Sequence, residues 1–238
     1  LDSKKLRECD ILKIAAWAID NGDEHVIIED TANHLRFNDV DLVVLTGWRT
    51  MDPVQSISKM MECRHIAYLD SNPQFDTVAI VSRSPLLTSV SDDTQEQFCL
   101  EVYLPEHSLT ILGMRFPVIN NVRMQIDFFQ RLIRHIEVQS DARKVLIGNC
   151  ITGGADLSTV LDLKRSFQDV VSSGWIDAWR YFHPITYEKT WFNKTQKGIC
   201  LDFVLLSPIL QKLLVNAYHS QVKPGFKSAS RVLIVELE

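Results

Sequence analysis

Nine short runs rich in Val, Ile, Leu and aromatic residues are spread along the whole chain, with helical patterns between them. The runs are Ile11–Trp17, Leu42–Leu45, Ile66–Leu69, Val78–Ser82, Phe98–Tyr103, Thr110–Met114, Val145–Ile147, Ile199–Leu206 and Val232–Leu237. Branched and aromatic side chains in stretches this short suit strands buried against a second layer. Three segments read as helices. Pro53–Cys63 follows Asp52, a plausible N-cap, with proline at the first helical position. Val122–Val138 sets Val122, Ile126, Phe129, Ile133 and Ile136 on one stripe, with Leu132 at its edge and Met124 and Phe128 off it. Leu157–Val171 is the third. Periodicity alone therefore gives a mixed α and β chain, with no internal repeat and no low-complexity stretch.

Other bulk features narrow the class. A length of 238 residues allows one layered domain, and 46% hydrophobic content allows a sizeable core. No apolar run approaches a membrane span, so no membrane partner is expected. The start does not read as a secretory signal. The chain opens on Leu1 rather than Met, which leaves room for an upstream segment. Cys9, Cys63, Cys99, Cys150 and Cys200 are scattered and form no CxxC pair. They read as small buried hydrophobes in a reducing, intracellular compartment rather than as a zinc site or a disulfide framework. The seven histidines show no metal-ligand spacing and read as surface or satisfied core residues. The net charge of −5 does not suggest a dedicated nucleic-acid binder. Residues 184–231 depart from that balance, with seven Lys and Arg against only Glu188 and Asp202. That quarter could present a phosphate-binding face or simply a solvated surface.

Eight segments, in order, carry a more specific signal. They are LKIAAWAIDNG (12–22), DLVVLTGWR (41–49), FDTVAIVSRSP (75–85), LTILGMRFPV (109–118), VLIGNCITGGADL (145–157), WIDAWRYFHPITYEKTWF (175–192), CLDFVLLSP (200–208) and GFKSASRVLIVELE (225–238). Together they resemble the endonuclease/exonuclease/phosphatase superfamily, and most of all its exonuclease III and apurinic endonuclease branch. The resemblance implies a DNase-I-like fold, a four-layer αββα sandwich of two mixed sheets flanked by helices. It also implies a single domain over 1–238. In that family an Asp takes the proton of an attacking water, a His–Asp pair stabilises charge on phosphate, and carboxylates hold Mg²⁺.

At most of the positions the family uses, this chain carries something else. Ala18 stands where the resemblance implies a polar Asn, while Asp20 is kept. Gly47 stands in place of the metal-binding Glu. Arg115 lies in the region of a His and could clamp phosphate. Asn149 replaces the general-base Asp and Ile151 replaces a following Asn. Asp202 is kept, but Ala229 and Ser230 replace the Asp and His with which it would work. A remnant pocket of Asp20, Asn149 and Asp202 is thus expected, with no intact catalytic set. With Gly47 and Asn149 present, the Mg²⁺ ligand set thins to Asp20, a weak candidate, so no cofactor is expected. Two readings stay open for Asn149: part of an anion pocket, or a turn cap.

Cations and aromatics interleave at Tyr187, Lys189, Trp191, Phe192, Lys194 and Lys197, and the binding candidates are Arg115, Lys189, Trp191, Lys194, Lys197 and Lys227. Trp179 reads as core. The function expected is a pseudo-nuclease acting as a protein-interaction or scaffold module, with a protein partner. The alternatives are a nucleic-acid-binding module that does not cut, through residues 184–231, and a divergent metal-dependent phosphodiesterase.

Overall fold

The computed structural model describes residues 11–18, 24–48, 50–69, 77–88, 99–115, 128, 130–134, 142–149, 165, 168–186, 188, 191–192, 198–199, 202–220 and 231–238. Fourteen strands and three α-helices are defined among them. They are β1 (Leu12–Ala18), α1 (Glu24–Phe37), β2 (Leu42–Trp48), α2 (Met51–Met60), β3 (His65–Tyr68), β4 (Thr77–Ser82), β5 (Leu87–Thr88), β6 (Cys99–Leu104), β7 (Leu109–Arg115) and β8 (Lys144–Asn149). There follow β9 (Ile176–Asp177), α3 (Ala178–Phe182), β10 (Trp191–Phe192), β11 (Gly198–Ile199), β12 (Asp202–Leu206), β13 (Leu214–His219) and β14 (Leu233–Leu237).

The first sheet has the order β13-β14-β1-β2-β4-β3 and the second β5-β6-β7-β8-β12-β9. Each holds one parallel pair, β1 with β2 and β7 with β8, flanked by antiparallel neighbours. The sheets are therefore mixed, as expected. Their inner faces share one apolar cluster, in which Ile14, Leu42, Val44 and Ile80 meet Val102, Ile111, Ile147 and Val204. Burying each such side chain contributes about 1.5–3 kcal/mol. The outer face of the first sheet buries Trp17, Val43 and Leu45 under Leu35 of α1 and Val54 and Ile57 of α2. The outer face of the second buries Leu112, Leu146 and Leu205 under Phe128, Leu132 and Val170. Helix, sheet, sheet and helix thus stack in four layers.

Several elements differ in detail from the sequence reading. Helix α2 begins two residues earlier than its proline suggests, with Thr50 at the N-cap and Asp52 inside the first turn. Pro53 still fits there, because first-turn N–H groups need no helical partner. The apolar stripe of residues 122–138 is turned: Phe128 and Leu132 lie in the core and Ile133 is only partly buried. Phe129, Ile126 and Ile136 lie outside the described residues. The run Ile199–Leu206 serves two sheets: Ile199 pairs with β10 in a two-stranded ribbon, and Asp202–Leu206 pairs within the second sheet. Helix α1 and strand β13 were not expected. The buried positions of α1 include Thr31 and His34, which blur its stripe, and β13 is an edge strand with mixed burial. His34 Nε2 lies 2.6 Å from Ser220 Oγ, so this buried histidine ties α1 to the end of β13. Cys63 is buried and free, as expected of a small core hydrophobe.

At Gly113 the two sheets approach closely. A Cβ there would lie 3.1 Å from Val44 Cγ1 and from Val78 Cγ1, across the interface. Gly148 is tighter. A Cβ would come 2.5 Å from Met114 Cγ, 2.8 Å from the Met114 carbonyl oxygen and 2.9 Å from Phe203 Cζ. The backbone oxygen cannot move aside as a side chain can. Gly148→Ala is expected to lower stability by about 1–3 kcal/mol, the usual range for overpacking. Urea or thermal unfolding would read this as a lower midpoint.

Candidate functional site

The parallel pairs in the two sheets bring several strand ends to one rim. Gly113 of β7 faces Val44 of β2 and Val78 of β4, and Val78 pairs with Thr46. The C-terminal halves of β2 and β7 therefore lie level. The last residues of β1, β2, β7 and β8 and the first of β12 then share this end. This is where the resemblance implied a catalytic pocket.

In the second sheet, three of the expected residues stand in register. Arg115 ends β7 opposite Asn149, which ends β8, and Asn149 lies opposite Asp202, which begins β12. All three are buried: Arg115 is 8% exposed, Asn149 2% and Asp202 4%. The Asn149 Nδ2 donates to Asp202 Oδ1 at 2.9 Å. The Asn149 amide thus joins two neighbouring strands. Asn149 Oδ1 has no hydrogen-bond partner among the described residues.

In the first sheet, Ala18 ends β1 opposite Thr46, and neither carries a carboxylate. Gly47 sits at a β-bulge, where the register with β4 shifts between Thr46 and Trp48, and its φ is +99°. Only glycine takes that conformation without strain. Asp20, Ile151, Ala229, Ser230, Lys189, Lys194, Lys197 and Lys227 lie outside the described residues, as does Tyr187. Trp191 and Phe192 form β10, facing Ile199 and Gly198 of β11. Trp179 is buried at 4% exposure, as its reading as core requires.

The side-chain oxygen donors described at this rim are Asp202, already bonded to an amide, Asn149 and the Thr46 hydroxyl. Arg115 takes the neighbouring register position, and a guanidinium repels a divalent cation. Mg²⁺ asks for about six oxygen ligands in near-octahedral array. This donor set is a poor match. Among the described residues no group of three or more His, Cys, Asp or Glu is placed to hold a metal ion.

A second polar cluster, not foreseen from sequence, lies toward the same rim of the first sheet. Glu188 accepts from His219 Nδ1 at 2.9 Å and from Arg231 Nη1. Its members come from three separated segments, so no motif spacing announces it.

Solved structures superimpose on this chain over nearly its full length. An AP endonuclease from Archaeoglobus fulgidus matches with a TM-score of 0.78 at 16% identity, covering 95% of this chain and 99% of that one. A 3′–5′ exonuclease from Neisseria meningitidis matches at 0.76 and 19% identity, covering 95% and 100%. A 3′ phosphatase from Neisseria, bound to a product DNA hairpin, gives 0.76 and 19%, covering 95% and 99%. This chain has the DNase-I-like fold. No family model and no curated protein matches its sequence. Within the DNase-I-like fold, then, this chain sets an Arg–Asn–Asp row across the rim of the second sheet.

The row makes a pH-dependent prediction. Asn149→Asp would oppose two carboxylates across one strand pair, and the pair would favour holding a proton. A carboxyl whose folded pKa is raised contributes stability below its unfolded value, near 3.9, and loses it as pH rises. The variant should therefore unfold close to the parent midpoint at about pH 4 and fall progressively below it toward pH 8. Parallel melting curves across that range check this. A deficit that shrinks with rising pH would contradict the pairing.

Proposed function

We propose that this chain is a nuclease-fold module that does not cleave phosphodiesters, holds no resident metal, and acts as a protein-interaction or scaffold subunit. The hydrogen bond from Asn149 to Asp202 carries the reading. In the arrangement the resemblance implies, residue 149 would be the general base. An amide has no proton-accepting form near neutral pH, and here its N–H group is committed to the neighbouring carboxylate. Gly47 and Ala18 support the reading from the first sheet, since neither offers a side-chain oxygen ligand.

A second reading has its own support. The basic balance of residues 184–231 and the fold shared with a phosphatase bound to a DNA hairpin favour a nucleic-acid-binding module that does not cut. Overall acidity weighs against it.

Two measurements separate these readings. Incubation with abasic, duplex and single-stranded DNA and with RNA, in Mg²⁺ or Mn²⁺, should give no turnover above background. Losing one transition-state contact alone costs about 10²–10³ in rate, and here several groups are replaced together. Turnover abolished by Asp20→Ala or Asp202→Ala would establish a divergent phosphodiesterase instead. Fluorescence anisotropy over a salt series then tests binding. The scaffold reading expects no DNA affinity at low salt. A tight complex that weakens steeply with salt, and weakens again when Lys189, Lys194 and Lys197 are all changed to Glu, would favour the nucleic-acid reading. Mg²⁺ at millimolar concentration should not raise the melting temperature. A saturable rise lost in Asp20→Asn would show a bound ion.

A further inference from the structure

The segment after α3 is fastened to the first sheet by one carboxylate between two basic groups. Glu188 lies on that segment. His219 is the last residue of β13, and Arg231 lies two residues before β14. The His219 Nδ1–H donates to Glu188 Oε2 at 2.9 Å, while Arg231 Nη1 donates to Glu188 Oε1. A guanidinium carries a fixed charge, whereas an imidazole gains and loses its own.

The surroundings of His219 make its protonation state matter. Its side chain is 1% exposed. With Nδ1 donating to Glu188, a neutral ring leaves Nε2 bare, and Nε2 has no hydrogen-bond partner among the described residues. A second proton would have to settle there, inside the protein. Trp179 of α3 packs on the ring with centroids 5.1 Å apart, and His183 packs on the same Trp179 at 5.0 Å. His183 Nε2 is itself held 3.0 Å from the Ala217 carbonyl of β13. Arg180 stands over Trp179 at 4.5 Å. The groups bearing on His219 are thus Glu188 from the segment, Arg231 from the approach to β14, and His183 through the α3 stack. Glu188 favours the imidazolium. Burial, Arg231 and His183 oppose it.

We propose that Glu188, His219 and Arg231 form an acid-released latch that closes the segment after α3 onto the first sheet when His219 is neutral and lets it open when His219 is protonated. Protonation puts a second cation near the half-exposed Arg231, on a ring that water barely reaches, and opening relieves it by hydrating the ring. Burial is the largest influence on His219 and pushes its pKa below the usual 6.5, against the pull of Glu188. A group with a depressed folded pKa contributes stability that is present above 6.5 and lost as pH falls below it. The latch therefore holds at neutral pH and yields in mild acid. The device is independent of whether the chain cuts or binds nucleic acid.

Amide hydrogen exchange on peptides spanning 180–192, corrected for its intrinsic pH dependence, tests the latch. Protection should be high at about pH 7.5 and fall in mild acid, by about tenfold for each unit that burial depresses the pKa. NMR titration of the His219 ring should give a midpoint below 6.5. His219→Gln keeps an N–H donor for Glu188 but cannot titrate, so its protection should stay flat across the range. Glu188→Gln removes the shared charge and should leave the segment unprotected even at neutral pH. A ring that titrates at or above 6.5 would overturn the proposal. So would wild-type protection that ignores pH, an acid transition that persists in His219→Gln, or full protection in Glu188→Gln. Should His219→Gln fail to fold, the ring titration and Glu188→Gln decide.

Discussion

Everything in this molecule depends on two sheets being pressed together tightly enough to share one dry interior. Gly113 shows how close that contact is, because even a methyl group there would crowd Val44 and Val78 of the opposite sheet. Interiors packed to this density transmit position faithfully. The ends of β1, β2, β7 and β8 are thereby fixed relative to one another without any loop having to organise them. The two sheets also repeat one plan, a parallel central pair with antiparallel neighbours. The rim becomes a platform on which the strand ends hold their side chains in fixed relation.

The chemistry carried by that platform is unusual for its setting. Asp202 is a buried carboxylate, and a buried charge is tolerated only when its environment satisfies it. Asn149 supplies part of that satisfaction from the neighbouring strand. The pair is thus a structural joint between β8 and β12. Holding one acid with an amide avoids the repulsion that two acids would bring.

Much of the scaffold was legible in the sequence because strands buried on both sides must be apolar throughout. Runs such as Val78–Ser82 and Val145–Ile147 therefore declare themselves. Strand β13 does not, because an edge strand with Asn216, Tyr218 and His219 has no such uniform requirement. Helix α1 hides for a related reason: His34 and Thr31 occupy buried positions where a periodic reading looks for hydrocarbon. The split between β11 and β12 was invisible because both halves are apolar, and only hydrogen-bond partners distinguish a ribbon from a sheet. At the rim, Asn149, Asp202, Arg115 and Gly47 could be singled out because each sits in a segment of recognisable pattern. That Arg115, Asn149 and Asp202 stand in one row follows from strand register, which the sequence does not state. Glu188, His219 and Arg231 had no signal at all, since three ordinary polar residues from distant segments become a unit only in three dimensions.

Gly47 limits what its position can carry. Its backbone lies at φ +99° within a bulge, so its present shape is available to glycine and strained for any residue with a Cβ. Placing a carboxylate there is not a matter of exchanging one side chain. The strand would first have to flatten, and its pairing with β4 would have to change with it. At this point of the rim the backbone, and not the side chain, decides which chemistry the strand end can present.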